Sequence, residues 1–467
     1  MVVAMRRGLF LAAVLGAMAA FASYTDFDVH DFGAKGDGKT KDTVAIQRAV
    51  DAAARAGGGR VVLSQGTFLS GTIWLKSHVE FHIRQGAVLK ASLDRADYNR
   101  DDVFPQNGSD AHEEWSGSHL IIAHEIEDVS LTGPGRIVGQ GHLFFGEVDD
   151  NIWPYYKYGL KRHTKDREWF RVGQLIVFIE SRDIRVTDLE VLDSPCWTLL
   201  LHGCENVTVR GYRVRNDRTM ANTDGIDIDC CRNVTMSGCT IDTADDAIAI
   251  RAWTRLMKDK TRACENITIS DCVLGSCAHA FRIGVGEGDI RNVAVANCIS
   301  RRSAQAVALC TSYGKPNPRN VHIRNVSFSN CRFLECVSGF EMRTSQGDAD
   351  SEIKDIAFRG CSFEFFSLGG RIVGQATHRP QDVLIDGCDF THLPRLAEPG
   401  EAFSPKVLAD RKWVHSEDAF EVERADGVVF RGCRFRRHAD PGAWIAPHKR
   451  MFGGSSASAV KTIDCDF

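Results

Sequence analysis

A chain of 467 residues with 43% hydrophobic and 25% charged residues can bury a large core, which excludes a disordered chain and a mini-protein. Its formal net charge of −4, with no lysine or arginine block, excludes duplex nucleic acid and an anionic membrane surface as partners. Length alone suggests two or three domains, but the pattern along the chain points to one.

The chain opens with Arg6 and Arg7, then an apolar run from Gly8 to Ala22 that is too short to span a bilayer and closes on small-x-small, Ala20-Phe21-Ala22. That layout predicts a signal peptide over 1–22, cleaved before Ser23, and a secreted or periplasmic mature protein. No cysteine stands there to take a lipid anchor. Residues 23–110 begin with a strand-like stretch around Phe27 and Val29. In Thr40 to Ala56 the side chains of Ile46, Ala49, Val50 and Ala53 make one apolar helical face, which Gly57-Gly58-Gly59 ends. This helix is expected to cap an open end of stacked strands.

Beyond Leu120 the sequence repeats itself. Asn233-Val-Thr-Met-Ser-Gly-Cys239, Asn266-Ile-Thr-Ile-Ser-Asp-Cys272 and Asn292-Val-Ala-Val-Ala-Asn-Cys298 share one local pattern, and the intervals from Cys239 to Cys272, Cys298, Cys331, Cys361 and Cys388 are 33, 26, 33, 30 and 27 residues. Short alternating strands at that period, with no amphipathic helix between them, predict an all-β solenoid: a single-domain parallel β-helix over 23–467, each coil about 4.8 Å above the last. Equivalent residues then stack into ladders. The sixteen cysteines read as buried small hydrophobes with free thiols rather than disulfides or metal ligands, since no Cys-x-x-Cys pair lies beside histidines. Sequons such as Asn206-Val-Thr208 read as ladder positions rather than glycosylation sites. Two stretches, 139–172 and 392–425, interrupt the repeat as loop insertions. The first is rich in aromatics, from Phe144 and Phe145 through Trp153 and Tyr155 to Trp169, which fits either a small core of its own or a sugar-binding wall.

Carboxylates gather at one place in the repeat. Aligning Asn222-Thr-Asp224-Gly-Ile-Asp227 with Ala244-Asp245-Asp246-Ala-Ile-Ala249 and Cys277-Ala-His279-Ala-Phe-Arg282 puts Asp224, Asp246 and His279 on three successive coils, with Asp245 beside Asp246. Gln305 and Ser338 continue that column, while Asp227, Ala249, Arg282, Ala308 and Glu341 make a second one three positions along. Like charges a few ångströms apart raise at least one pKa, so an acid and a base become available together. Glycoside hydrolysis needs that pair. A calcium site or a set of turn aspartates is the alternative reading of the same cluster.

At these residues the chain resembles glycoside hydrolase family 28, the polygalacturonase and rhamnogalacturonase family. The likeness rests on Asn222-Thr-Asp-Gly-Ile-Asp227, Asp245-Asp-Ala-Ile-Ala-Ile250 and His279. Phe32-Gly-Ala-Lys-Gly-Asp-Gly38, Ser70-Gly-Thr-Ile-Trp-Leu-Lys76, Ser194-Pro-Cys-Trp197 and Cys204-Glu-Asn-Val207 add to it and look like the bacterial members. The resemblance implies a right-handed β-helix and an inverting, metal-free and cofactor-free hydrolase of pectic polysaccharide. It implies Asp245 as general acid, Asp224 and Asp246 holding and deprotonating the attacking water, and His279 tuning the acid and touching the substrate. Arg251, on the same strand as the aspartate pair, is either a substrate-facing cation or an exposed salt-bridge arginine.

One departure bears on the substrate. The family's Arg-Ile-Lys triplet, one coil beyond the histidine, is Ala306-Val307-Ala308-Leu309-Cys310 here. Either Arg282 and Arg343 replace that clamp from the flanking coils and the substrate is a uronate, or Arg282 and Glu341 bind a neutral or differently substituted sugar. The second is favoured, so a rhamnogalacturonan or decorated galacturonan is preferred over plain polygalacturonate, with Asp227 as a further contact. The protein is expected to act as a monomer on this polysaccharide partner. A β-helix lyase and a catalytically silent carbohydrate-binding solenoid are the rival readings. The lyase would want a basic residue where the aspartate pair stands, and a pure binder has no need to crowd like charges.

Overall fold

In the computed structural model, residues 25–107, 116–144, 171–218, 220–312, 319–344, 349–395, 416–443 and 445–467 are described. The expected signal peptide lies outside them, as do most of the insertion 139–172 and residues 396–415 of the second insertion. Among the described residues no helix is long and apolar enough to cross a membrane.

Among the described residues the strands form three parallel sheets of 14, 13 and 12 strands, and in each sheet the strand order follows the chain order, one coil after the next. The fold is a right-handed parallel β-helix. Its core is one continuous column of aliphatic and, toward the C-terminus, aromatic side chains. Phe328 stacks on Phe358 at 5.1 Å, and Phe333, Phe363 and Phe390 follow one another at 4.8 and 5.1 Å. Stacked offset rings add attraction to the area they bury.

The repeated asparagine has a conformational cause. Asn206, Asn233, Asn266, Asn292 and Asn325 all sit at φ between 52 and 60°. Asparagine is among the few residues that tolerate this left-handed corner. Each amide donates to the previous one in the ladder, Asn233 to Asn206 at 3.1 Å, Asn266 to Asn233 at 3.1 Å, Asn292 to Asn266 at 3.0 Å and Asn325 to Asn292 at 2.9 Å. The cysteines are free thiols, all buried except Cys465, which is intermediate. In their ladder the Sγ atoms of Cys239, Cys272, Cys298 and Cys331 each face the carbonyl two residues back at 3.2–3.4 Å.

At the N-terminal end, the helix Thr43–Arg55 buries Ile46, Ala49, Val50 and Ala53. It starts later than the apolar pattern suggested, because Thr40 and Lys41 belong to the strand Asp37–Lys41 and the Asp42 carboxylate is taken by the backbone N–H groups of Lys35 and Gly36. Gln47 ties it to the first coils through two hydrogen bonds with the Trp74 backbone.

The 12-stranded sheet positions the site. Its inward residues, such as Ile226, Ile228, Ile248 and Ile250, enter the core, and the residues between them face outward. Down that outward face Asp227 pairs with Ala249, Ala249 with Arg282, Arg282 with Ala308 and Ala308 with Glu341. This is the register obtained by aligning the repeat. The column goes on to Arg371 and Glu421.

Candidate active site

Asp224 precedes the strand Ile226–Asp229, Asp245 and Asp246 precede Ile248–Ala252, and His279 opens the strand His279–Gly286. The backbone ladder brings them level: Gly225 N–H donates to the Asp246 carbonyl at 2.9 Å and Ala247 N–H to the His279 carbonyl at 2.9 Å. One carboxylate oxygen from each of Asp224, Asp245 and Asp246 lies within 4.8 Å of the others.

The three aspartates differ in surroundings. Asp224 and Asp246 are 4% and 3% exposed, whereas Asp245 is only half-buried. Asp245 is oriented by N–H donors from Asn222 at 3.2 Å and Asp246 at 3.0 Å, and its carbonyl accepts from Thr243 and Ser276 hydroxyls. Asp246 accepts from His279 Nδ1 at 2.6 Å and from Arg282 at 3.4 Å. Burial alone would raise its pKa, but the hydrogen bond and electrostatic pull of His279, with the Arg282 guanidinium, outweigh it and hold the carboxyl below its ordinary value. Burial pushes Asp224 well above the carboxylate range, and the charges of Asp245, Asp227 and Asp246 push the same way. Its Oδ1 has no hydrogen-bond partner among the described residues. The site therefore holds one carboxyl biased toward its protonated form beside one biased toward its ionised form. The three oxygens could equally gather a cation, as could the second group of convergent donors, His202, Asp229 and Cys230.

Beneath the cluster lies a second layer. Arg251 is 15% exposed, bonds Asp227 at 3.2 Å, approaches Asp229 at 3.9 Å and stacks over the Trp197 ring at 4.3 Å. It is thus a partly buried, doubly paired cation rather than an exposed salt-bridge arginine. Asp227, expected as a further substrate contact, has no exposed side-chain surface and bonds Arg251. Burial raises its pKa to about 7 in spite of Arg251. Arg282, at 15% exposure, joins the acid cluster through Asp246. Glu341 lies farther along, 3.4 Å from both Arg343 and Arg371, and Arg371 also meets Glu421 at 2.7 Å.

Trp197, Asp229, Arg371 and Glu421 were not among the expected site residues. The last two stand in the Asp227–Glu341 column and follow from extending the same register by two coils. The Trp197–Arg251 contact joins a loop to a strand on another coil, and no spacing in the sequence announces it.

Residues 70–359, more than half of the chain, match the model of Glycosyl hydrolases family 28. The chain belongs to that family. It is a glycoside hydrolase by family. A probable polygalacturonase of Vitis vinifera is 25% identical over 361 residues, covering 74% of this chain and 70% of that protein. An endo-polygalacturonase of Pectobacterium carotovorum subsp. carotovorum is 24% identical over 318 residues, covering 62% of this chain and 76% of that protein. Plant and bacterial relatives thus stand at similar distance, and a specifically bacterial type is not singled out. The family 28 exopolygalacturonase of Yersinia enterocolitica superposes with a TM-score of 0.65 at 17% identity, covering 94% of this chain and 78% of that one. At that identity the likeness concerns the fold.

Proposed function

We propose that the chain is an exported, monomeric hydrolase that cuts pectic polysaccharide with inversion, using Asp245 as general acid and a water held by Asp224 and Asp246. The observation that carries this reading is the convergence of three carboxylates within 4.8 Å of one another, with His279 Nδ1 2.6 Å from Asp246. Asp245, the most open of the three, is the one that a glycosidic oxygen can reach. Two oxygens up to 4.8 Å apart can hydrogen-bond one water at about 2.7–2.8 Å each. Asp246, kept ionised, takes the water's proton, and Asp224 orients it. Activity should fall at acid pH as Asp246 is protonated and at alkaline pH as the cluster loses its shared proton. The anomer first formed, read by NMR, tests inversion: retention would make one carboxylate a nucleophile.

The backbone proposed is a rhamnogalacturonan or a decorated galacturonan. A polygalacturonate presents a charge on every sugar, and beyond Ala308 the outward column offers Glu341 with its two arginines already paired to carboxylates. Like charge at Glu341 disfavours a dense polyanion. Incubation with homogalacturonan, rhamnogalacturonan and a mixed pectin, in the presence of chelator, tests this. Saturated products with a preference for rhamnogalacturonan are expected. Unsaturated, ultraviolet-absorbing products would indicate a lyase, and binding without new reducing ends a carbohydrate-binding solenoid. Glu341→Gln should raise activity on homogalacturonan relative to rhamnogalacturonan about 3–10-fold, the worth of a partly screened charge contact. An unchanged ratio would mean that Glu341 does not select the glycan.

A further inference from the structure

The outward face of the 12-stranded sheet is not the same on the two sides of the acid cluster. On the C-terminal side it is polar and open, with Arg371 and Glu421 side chains 40% and 31% exposed. On the N-terminal side the residues level with Asp227 are Leu200, then Val177, then Ile122. They point away from the core, yet Ile122 and Val177 are 0% exposed and Leu200 8%. What buries them is a second apolar cluster, in which Phe104 packs with them and with the rings of Trp74 and Trp197. Phe104 lies edge-on to Trp74 at 6.4 Å and stacks on His124 at 4.6 Å.

The segment that delivers Phe104 is tied down. Asn107 donates to the Asp101 carbonyl at 2.9 Å and to the Gly117 carbonyl at 2.7 Å. Asn99 donates to the Gly117 carbonyl at 2.8 Å, the Gly117 N–H donates to the Asp101 carboxylate at 3.1 Å, and the Asn107 side-chain carbonyl lies 2.8 Å from His119 Nε2. Sheet face buried under an anchored apolar plug offers no surface along which a polar polymer can lie. The plug begins one coil, about 4.8 Å, before Asp227, which leaves room for roughly one pyranose ring between it and the reacting carboxylates.

Resting on the hydrolase reading above, we infer that the groove is closed on its N-terminal side by the Phe104 segment and that the enzyme works from a chain end, releasing a product no longer than a disaccharide. Trp197, whose face is already turned to Arg251, forms the floor of that closed end. The test compares viscosity with new reducing ends while product sizes are followed from the earliest time point, on whichever pectic glycan the enzyme cuts. One short product throughout, with viscosity falling several-fold more slowly per bond cut than for a random cutter, is the expected result. A ladder of oligosaccharides with an early collapse of viscosity overturns the inference while leaving the hydrolase intact. Absence of new reducing ends on every glycan overturns the hydrolase reading and this one with it. Phe104→Ala should add longer products to the mixture, a change in product sizes that a loss of folded enzyme does not produce.

Discussion

At the scale of single residues, Asp227 makes the sharpest separation between what alignment shows and what burial decides. The repeat places it in the substrate-facing column, and that placement is legible in the sequence. Its complete burial beside Arg251, itself stacked on Trp197, is not, because that arginine is held by a ring on a loop from another coil. A carboxyl raised from 3.8 to about 7 on folding keeps its proton in the folded state where the unfolded chain has released it. The stability that this proton contributes is present below pH 3.8 and is lost as pH rises toward 7. Asp227→Asn should therefore flatten the fall in thermal stability over that window. Melting curves for the two proteins with equal pH slopes would contradict the assignment.

At the scale of elements, the ladders carry most of the specificity of the fold. Asparagine recurs because a left-handed corner is needed at each turn from one sheet to the next and because each amide bonds its neighbour. Asn266→Ala should cost about 1–2 kcal/mol for the left-handed conformation alone, plus the two ladder hydrogen bonds, and lower the melting temperature accordingly. A neutral result would mean that the ladder is incidental. The C-terminal coils hold a different stack. His392 lies 4.0 Å from His448 and 4.6 Å from His438 by ring centroids, and among the described residues Nδ1 of His392 and Nε2 of His448 have no hydrogen-bond partner. Burial and the two facing histidines lower the His392 pKa to about 3, so stability present above the ordinary value of 6.5 is lost as pH falls toward 3. His392→Gln should lessen the drop in melting temperature between neutral and acid pH. The repeat carries no sign of this stack, since His438 and His448 fall outside the cysteine and asparagine beat.

At the scale of the whole molecule, the architecture is largely legible in the repeat. Its length, the absence of helices within it and its ladder residues lead to a β-helix, and its register brings Asp224, Asp246 and His279 together. Beyond reach is whatever depends on segments that leave the repeat and return. The Phe104 plug is the clearest case, because nothing in residues 95–120 repeats and its target, the apolar outer column at Ile122 and Val177, looks from sequence like ordinary core. The register also explains why the acid cluster is one cooperative unit: its members come from successive coils whose spacing the backbone sets, so each pKa depends on the others.

That the aspartate cluster hydrolyses a pectic glycan with Asp245 as the acid is tested most directly by a reducing-end assay with product mass analysis on wild type and Asp245→Asn. Saturated products are expected from the wild type, with a rate lower by about 10²–10⁴ in the variant and the melting temperature little changed. Wild-type rates from Asp245→Asn, or unsaturated products from either protein, would contradict it.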